Sequence, residues 1–511
     1  MPPPLVSYSS HHSSIIINNN PYNFILFFPP KVLYRCNSFI LNGNSSQFLL
    51  TIISNMAIAW FSLFLSFLLL LHGYFAQHQR YQQQQGQCQI NRLNAQQPSF
   101  QMLAEAGYTE FFDLNNQQFQ CAGVSVFRHV VQSKGLLLPS YTNSPILAYV
   151  VQGRGFYGLM NSGCPETFQS SQKIQRFQDR HQRIEQFRQG DIMAFPAGTA
   201  HWVYNEGNEE LVLVFLEDSS NNANQLDQVA WRIFIAGKPH RALQHQGRQY
   251  GGRSYGNVFS GFDKEILSEA FGVCRETARK LQGQDDMRGH IISVQEGLKV
   301  IQPPFSQEQE QQQHGQYDPM NGIEETICSA KVRQNIDDPS RADIYNPHAG
   351  RFTTINSFTL PILRFLKLSA SRGVLYRNSM MAPHWYSNAH SIVYITRGES
   401  RMQVVDHRGQ AVLDDRVREG QFIVVPQNYA IVTQSGNGGC EWITFNTNDN
   451  AMINTLSGRT SAIRGLPVDV IANAYQISRD EARRLKFNRE ETLIFPVSTR
   501  SLRPYEGVVS A

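Results

Sequence analysis

The most chemically suggestive pattern in the sequence is Gly190-x5-Pro196-x-Gly198-x2-His201-x3-Asn205, within GDIMAFPAGTAHWVYN. Gly and Pro at this spacing punctuate a strand-turn-strand unit. An imidazole there is a suitable ligand for a divalent transition metal. A second copy starts at Gly420-x5-Pro426 (GQFIVVPQNYAIVTQS), with Asn428, Ile431 and Ser435 in place of Gly198, His201 and Asn205. One imidazole cannot hold a divalent ion. Ahead of the first copy, GLLLPSYTNSPILAYVVQG offers neither His nor acid; ahead of the second, MAPHWYSNAHSIVYITRG offers His384 and His390 without a carboxylate. We expect no metal, no cofactor and no catalytic residue, with His201 hydrogen-bonded locally. No Gly-x-Ser-x-Gly elbow, phosphate-cradling glycine loop or His-Glu-x-x-His motif is present. Cys274 and Cys440 read as structural thiols rather than nucleophiles.

These residues need strands to position them. From about 121 to 235, and again from about 352 to 447, short Val/Ile/Phe/Tyr-rich runs recur between Gly and Pro, the texture of an all-β barrel or sandwich. Residues 148–153 (AYVVQG) match 393–398 (VYITRG). Each β region is followed by a matched helical stretch, 262–282 and 466–486, with Phe271 aligned to Tyr475 and Ala278 to Ala482. Ile266, Ala270, Phe271, Val273, Ala278 and Leu281 suggest two short amphipathic helices around a break at Gly272. Such pairs serve as subunit contacts or cap their own barrel. Residues 166–189, 244–256 and 303–320 have too little apolar surface to offset ordering entropy and are expected to be mobile.

The composition points away from several functions. Charged residues make up 17% of 511, and 80 Gln and Asn stand against 86 charged side chains. That suits a polypeptide rich in nitrogen better than an enzyme. A net charge of +4 is too small for a nucleic-acid footprint. Residues 77–321 carry a net −2 and residues 322–511 a net +4, so a cut near 321 yields an acidic and a basic polypeptide.

From Met56, MAIAWFSLFLSFLLLLHGYFA has an apolar run of about 15 residues, which reads as a secretory signal over 56–76 rather than a membrane span. Residues 1–55 resemble neither a domain nor a signal and are expected to be an untranslated extension, with synthesis starting at Met56. A secretory route permits disulfides. Six of the seven cysteines lie beyond residue 77, and none forms CxxC or a zinc-spaced cluster.

The glycine-proline-histidine string resembles the second motif of the cupin superfamily, small double-sheet β-barrels. Asn321-Gly322-Ile323-Glu324-Glu325-Thr326-Ile327-Cys328, directly after a Gln-rich run, resembles the processing site of legumin-type (11S) seed storage globulins. The resemblance extends over most of residues 77–511. It implies a mainly β fold with two tandem jelly-roll barrels, each followed by a helical extension. The acidic-chain module would span 77–282, a disordered loop 283–321 and the basic-chain module 322–511. An active cupin takes two His and a carboxylate from its first motif; here the carboxylate place falls near Ser391. The resemblance further implies Cys88–Cys121 and Cys164–Cys328 bridges, with Cys274 and Cys440 free. It implies homo- or hetero-oligomers with other globulin subunits, trimers that become hexamers after a vacuolar asparaginyl endopeptidase cuts at Asn321, in the protein storage vacuole of a seed, with no nucleic-acid or membrane partner. The competing readings are a metal-dependent bicupin oxidase or decarboxylase and a bicupin that holds a small ligand in its barrel.

Overall fold

The computed structural model describes residues 88, 90–113, 115–166, 168–169, 179–226, 230–239, 256–300 and 328–497. The expected signal, the residues before it and the Asn321-Gly322 site lie outside them.

The β texture resolves into two barrels. In the first, a seven-stranded sheet runs in the order Phe100–Ala104, Gly107–Phe111, Val124–Val131, Leu211–Asp218, Ile146–Gln152, Asp191–Phe195, Arg333–Asn335. A second sheet contains Gly135–Thr142, Ala200–Asn205, Arg154–Met160 and Ile184–Arg188. The second barrel repeats this plan with longer strands, Ser391–Val405 and Ala430–Asn446, which run from one face to the other. Gly153 and Gly398, matched in sequence, both have positive φ (+93° and +75°) where these strands turn between faces. At Gly398 a side chain is excluded outright, because a Cβ would lie 2.5 Å from the Gly439 carbonyl oxygen.

The modules exchange arms, which the expected boundaries at 282 and 322 do not anticipate. Arg333–Asn335, beyond the expected cut, pairs with Asp191, Ile192 and Met193 of the first barrel. In return Gln96 pairs with Phe422 of the second, and Ile90 and Leu93 sit in that module's core. One apolar cluster also takes Leu147, Ile192 and Ala194 from the first module and Ile392, Ile443 and Phe445 from the second. Beside it, Arg128 donates to the Tyr394 hydroxyl at 3.1 Å, while its repeat counterpart Arg372 lies 5.9 Å from the Tyr149 ring. The contact is thus reciprocal in its side chains as well as its strands.

Two segments expected to be mobile are partly built into the barrels. Residues 283–300 are ordered: Ile291–Ser293 pairs with Gly135, Leu136 and Leu137, and His290 and Ile291 are buried. Within 166–189, Ile184–Arg188 pairs with Arg154–Met160 and buries Ile184 and Phe187. Local composition is polar in both stretches, but a few apolar residues find a sheet edge. The stretches 244–255 and 303–320 lie outside the described residues.

The helical pairs are Lys264–Phe271 with Arg275–Leu281, and Val468–Tyr475 with Arg479–Phe487. Asp263 caps the first, accepting from the Glu265 and Ile266 amides, and Gly272 ends it at φ +63°. Ser478 and Glu481 form a capping box on the last. Only Leu267 and Ala278, and Ile471 and Ala482, are buried; Ile266, Phe271, Val470, Tyr475 and Leu485 are exposed. The apolar stripes face away from the barrels. No helix among the described residues is long and apolar enough to cross a membrane.

Candidate functional site: the two barrel interiors

The first motif folds as its residues require. Gly190 has φ +85°, and a Cβ there would come within 2.7 Å of Asp337 Cβ on the exchanged arm. Gly198 has φ +76° and donates its amide to Thr142 O at 2.7 Å. In the second copy Asn428 takes the same left-handed conformation, φ +64°, and donates its amide to Tyr386 O. Asn tolerates that region better than most residues, so the turn persists without the glycine. Gly420 keeps φ +81°, and Pro426 again precedes the turn. Asn205 is structural: Nδ2 donates to Val131 O and Glu209 O, and Oδ1 accepts from the Gly207 amide. Ser435 does similar stitching, donating to Tyr376 O and accepting from the Ser379 amide.

His201 is buried, its ring centroid 4.6 Å from that of Phe195. Nδ1 lies 3.4 Å from Thr199 O, and Nε2 has no partner among the described residues. Burial, with the Arg232 charge adding to it, pushes its pKa down to about 3. The ring is therefore neutral, which is the form a metal ligand needs, but no carboxylate completes a site around it. Among the described residues no group of three His, Cys, Asp or Glu could hold a metal.

The sequence did not reveal what surrounds His201. Thr109 Oγ1 lies 2.7 Å from His129 Nδ1 and 2.6 Å from His290 Nε2. Arg232 Nη1 points at His129 Nε2 at 3.4 Å, and its Nη2 donates to Glu217 at 2.9 Å. Arginine can only donate, so His129 Nε2 carries the lone pair and His129 Nδ1–H donates to Thr109. The Thr109 hydroxyl then donates to His290 Nε2, which leaves the proton on His290 Nδ1, an atom without a partner among the described residues. The series of donors thus has one direction. Burial, and next Arg232, hold the His129 pKa well below normal and that of His290 at about 3. His129 was legible only as an inward alternate position of VSVFRHVV. His290 sits outside the expected barrel boundary and carried no local signal.

In the second barrel His384 Nδ1 donates to Ala382 O at 2.8 Å, and burial pushes its pKa down to about 4. The two candidate ligands are not poised together: His390 Nδ1 accepts the Gln427 amide, occupying its lone pair. Ser391 donates to Asn446 instead of presenting an acid. The space between His384, Tyr386, Met402, Ile431 and Trp442 is about 20 Å³, enough for one water.

The cysteines form Cys88–Cys121 and Cys164–Cys328 bridges, with Cα separations of 4.6 and 5.4 Å. Cys274 is free and exposed, its thiol pKa lowered by a hydrogen bond with Thr277; Cys440 is free and buried, and burial pushes its pKa up to about 11.

Two such barrels in tandem define a bicupin, and the cupin family profile matches residues 92–240 and 334–483. The protein is 48% identical over 482 residues to 11S globulin seed storage protein 1 of Carya illinoinensis, a match spanning 85% of this sequence and 95% of that one. The crystal structure of coconut allergen cocosin superposes with a TM-score of 0.72 at 47% identity, spanning 80% of this protein and all of the other. A recombinant pro-11S globulin of pumpkin gives 0.72 at 44%, with 80% and 100% coverage. The protein belongs to the 11S globulins, the legumin-type seed storage proteins of the cupin superfamily. Its function is storage in the seed.

Proposed function

We propose that this globulin is a non-enzymatic nitrogen and carbon reserve, cut after Asn321 into acidic and basic polypeptides that stay covalently joined. The observation that carries the processing reading is the Cys164–Cys328 bridge, whose two cysteines lie on opposite sides of position 321. The Asn-Gly bond follows a Gln-rich polar run, which a protease can bind extended. The exposed apolar stripes of both helical pairs supply the contacts for trimers, and processing leads on to hexamers in the protein storage vacuole. The isolated imidazoles support a protein without catalysis, against a metal-dependent bicupin oxidase or decarboxylase. The filled second barrel likewise disfavours a small ligand held in its interior.

Treating the purified precursor with an asparagine-specific endopeptidase tests the processing site. The parent should split once near residue 321 and Asn321→Gln should remain whole; equal cleavage of both would refute the assignment. Elemental analysis of the seed protein tests the enzyme alternative. Stoichiometric Mn, Fe, Cu or Zn would favour it.

A further inference from the structure

Three Asn-Gly dipeptides occur in the sequence, at 42, 321 and 437. The third lies in the second barrel, in the strand Ala430–Asn446. Ser435 pairs with Ser400 and Cys440 with Gly398, so Gly436, Asn437, Gly438 and Gly439 together oppose Glu399 alone. This wide bulge pushes Asn437 and Gly438 into solvent. No atom lies within 4 Å of where a Cβ would stand on Gly436 or Gly438. The Asn437 amide makes no hydrogen bond among the described residues. The bulge lines an open cleft of about 520 Å³ with Arg416, Arg418, Glu399 and Glu419.

We propose that the Asn437-Gly438 peptide is a modification site, where the folded protein cyclises to a succinimide and opens to an aspartyl or isoaspartyl residue. The Gly438 backbone nitrogen attacks Asn437 Cγ and bonds to it. The bond between Asn437 Cγ and its own Nδ2 breaks, and ammonia leaves with the proton given up by the backbone nitrogen. Water then adds to either ring carbonyl, breaking its bond to that nitrogen. No oxidant, cofactor or enzyme is needed.

The attack requires a backbone that can bring its own nitrogen onto the preceding side chain. Glycine on both sides of Asn437 permits this, and strand pairing that resumes only at Ser435 and Cys440 leaves room for it. The four ordered Asn residues that precede a serine are restrained. Asn143 accepts from the Trp231 amide, Asn161 from Thr199 and Asn356 from the Phe358 amide. Asn378 precedes the buried Ser379, whose amide is tied to Ser435. A seed reserve turns over slowly, so the product would accumulate with storage time.

The test incubates the folded protein at pH 8.5 and 37 °C (chosen conditions, at which backbone amides lose protons more readily), with peptide mapping and isoaspartyl methyltransferase labelling as readouts. A synthetic SGNGGC peptide serves as the unstructured reference. Position 437 should convert before any other Asn of residues 88–497, at a rate comparable to the peptide. Gly438→Ala should slow it roughly tenfold, in line with about 1.4 kcal/mol of added barrier, and Asn437→Gln should abolish the label. Circular dichroism of each variant confirms folding. Retention of the amide at 437 while the peptide converts, or earlier conversion at Asn143 or Asn161, would overturn the proposal.

Discussion

His384 stands directly across the ladder from Ile431, whereas in the first barrel Ser140 stands across from His201. Ser140 and His384 each follow a proline in matching strands, LPSYT and APHWY, so the two rungs are equivalent. Each barrel retains one imidazole there, on opposite strands. Each ring's Nδ1 faces the carbonyl two residues earlier, Thr199 or Ala382. The two barrels thus each carry one imidazole on this rung, His201 on one strand and His384 on the other, with Ser140 and Ile431 facing them.

Supplying a second imidazole should create metal affinity. Ile431→His places a second imidazole opposite His384 inside the barrel, and should bind Ni or Cu at least about tenfold tighter than the parent. Without metal it should lose about 1–3 kcal/mol, because a polar ring replaces a buried aliphatic side chain. Titration calorimetry and urea unfolding measure both; unchanged metal affinity would mean the rings do not converge.

Acid should weaken the fold before ordinary carboxylates protonate. His201 and His290 have folded pKa values of about 3 and His384 about 4, and those of His129 and His390 are also lowered, burial being the main cause in each. An unfolded imidazole titrates near ~6.5. Below that pH the unfolded state binds protons that the folded state refuses. The stability is complete above it and declines as pH falls toward the folded values. Each ring contributes at most about 1.4 kcal/mol per pH unit. Buried Asp218, with its pKa raised by burial, acts in the opposite sense. Urea midpoints should fall steadily from pH 7 to 5, and His290→Asn should flatten that slope.

The arms should hold the cleaved halves together without the bridge. Reducing Cys164–Cys328 leaves Arg333–Asn335 in the first barrel's sheet, Gln96 on Phe422 and the shared apolar cluster intact. On gel filtration in native buffer, cleaved and reduced protein should elute as the unreduced protein does, separating only in denaturant. Dissociation on reduction alone would show that the disulfide carries the contact.

Gln476 ends the helix Val468–Tyr475 at φ +55°, where its counterpart Gly272 has +63°. A left-handed non-glycine residue costs about 1–2 kcal/mol. Gln476→Gly should therefore stabilise by about 1 kcal/mol, and Gly272→Ala should destabilise by a similar amount. Thermal unfolding of the two variants measures the difference.

The strands, the turns at Gly190 and Gly420 and the paired helices were legible because each has its own period or turn residue. The turn at Asn428 survives because asparagine can take glycine's place there. The exchanged arm Arg333–Asn335 and the edge strand Ile291–Ser293 were not legible: each is three residues, too short for a period, and becomes a strand only against an edge supplied from far along the sequence. The polar cluster was missed for the same reason. Thr109, His129, Arg232 and His290 come from four separate stretches of sequence, and nothing near any one of them announces the others.

Denaturing electrophoresis of the seed protein with and without reductant, followed by N-terminal sequencing of the smaller product, tests the account most directly. One band is expected without reductant and two with it, the smaller beginning at Gly322. A single band in both lanes, or two bands without reductant, would contradict a protein cut at Asn321 and joined through Cys164–Cys328.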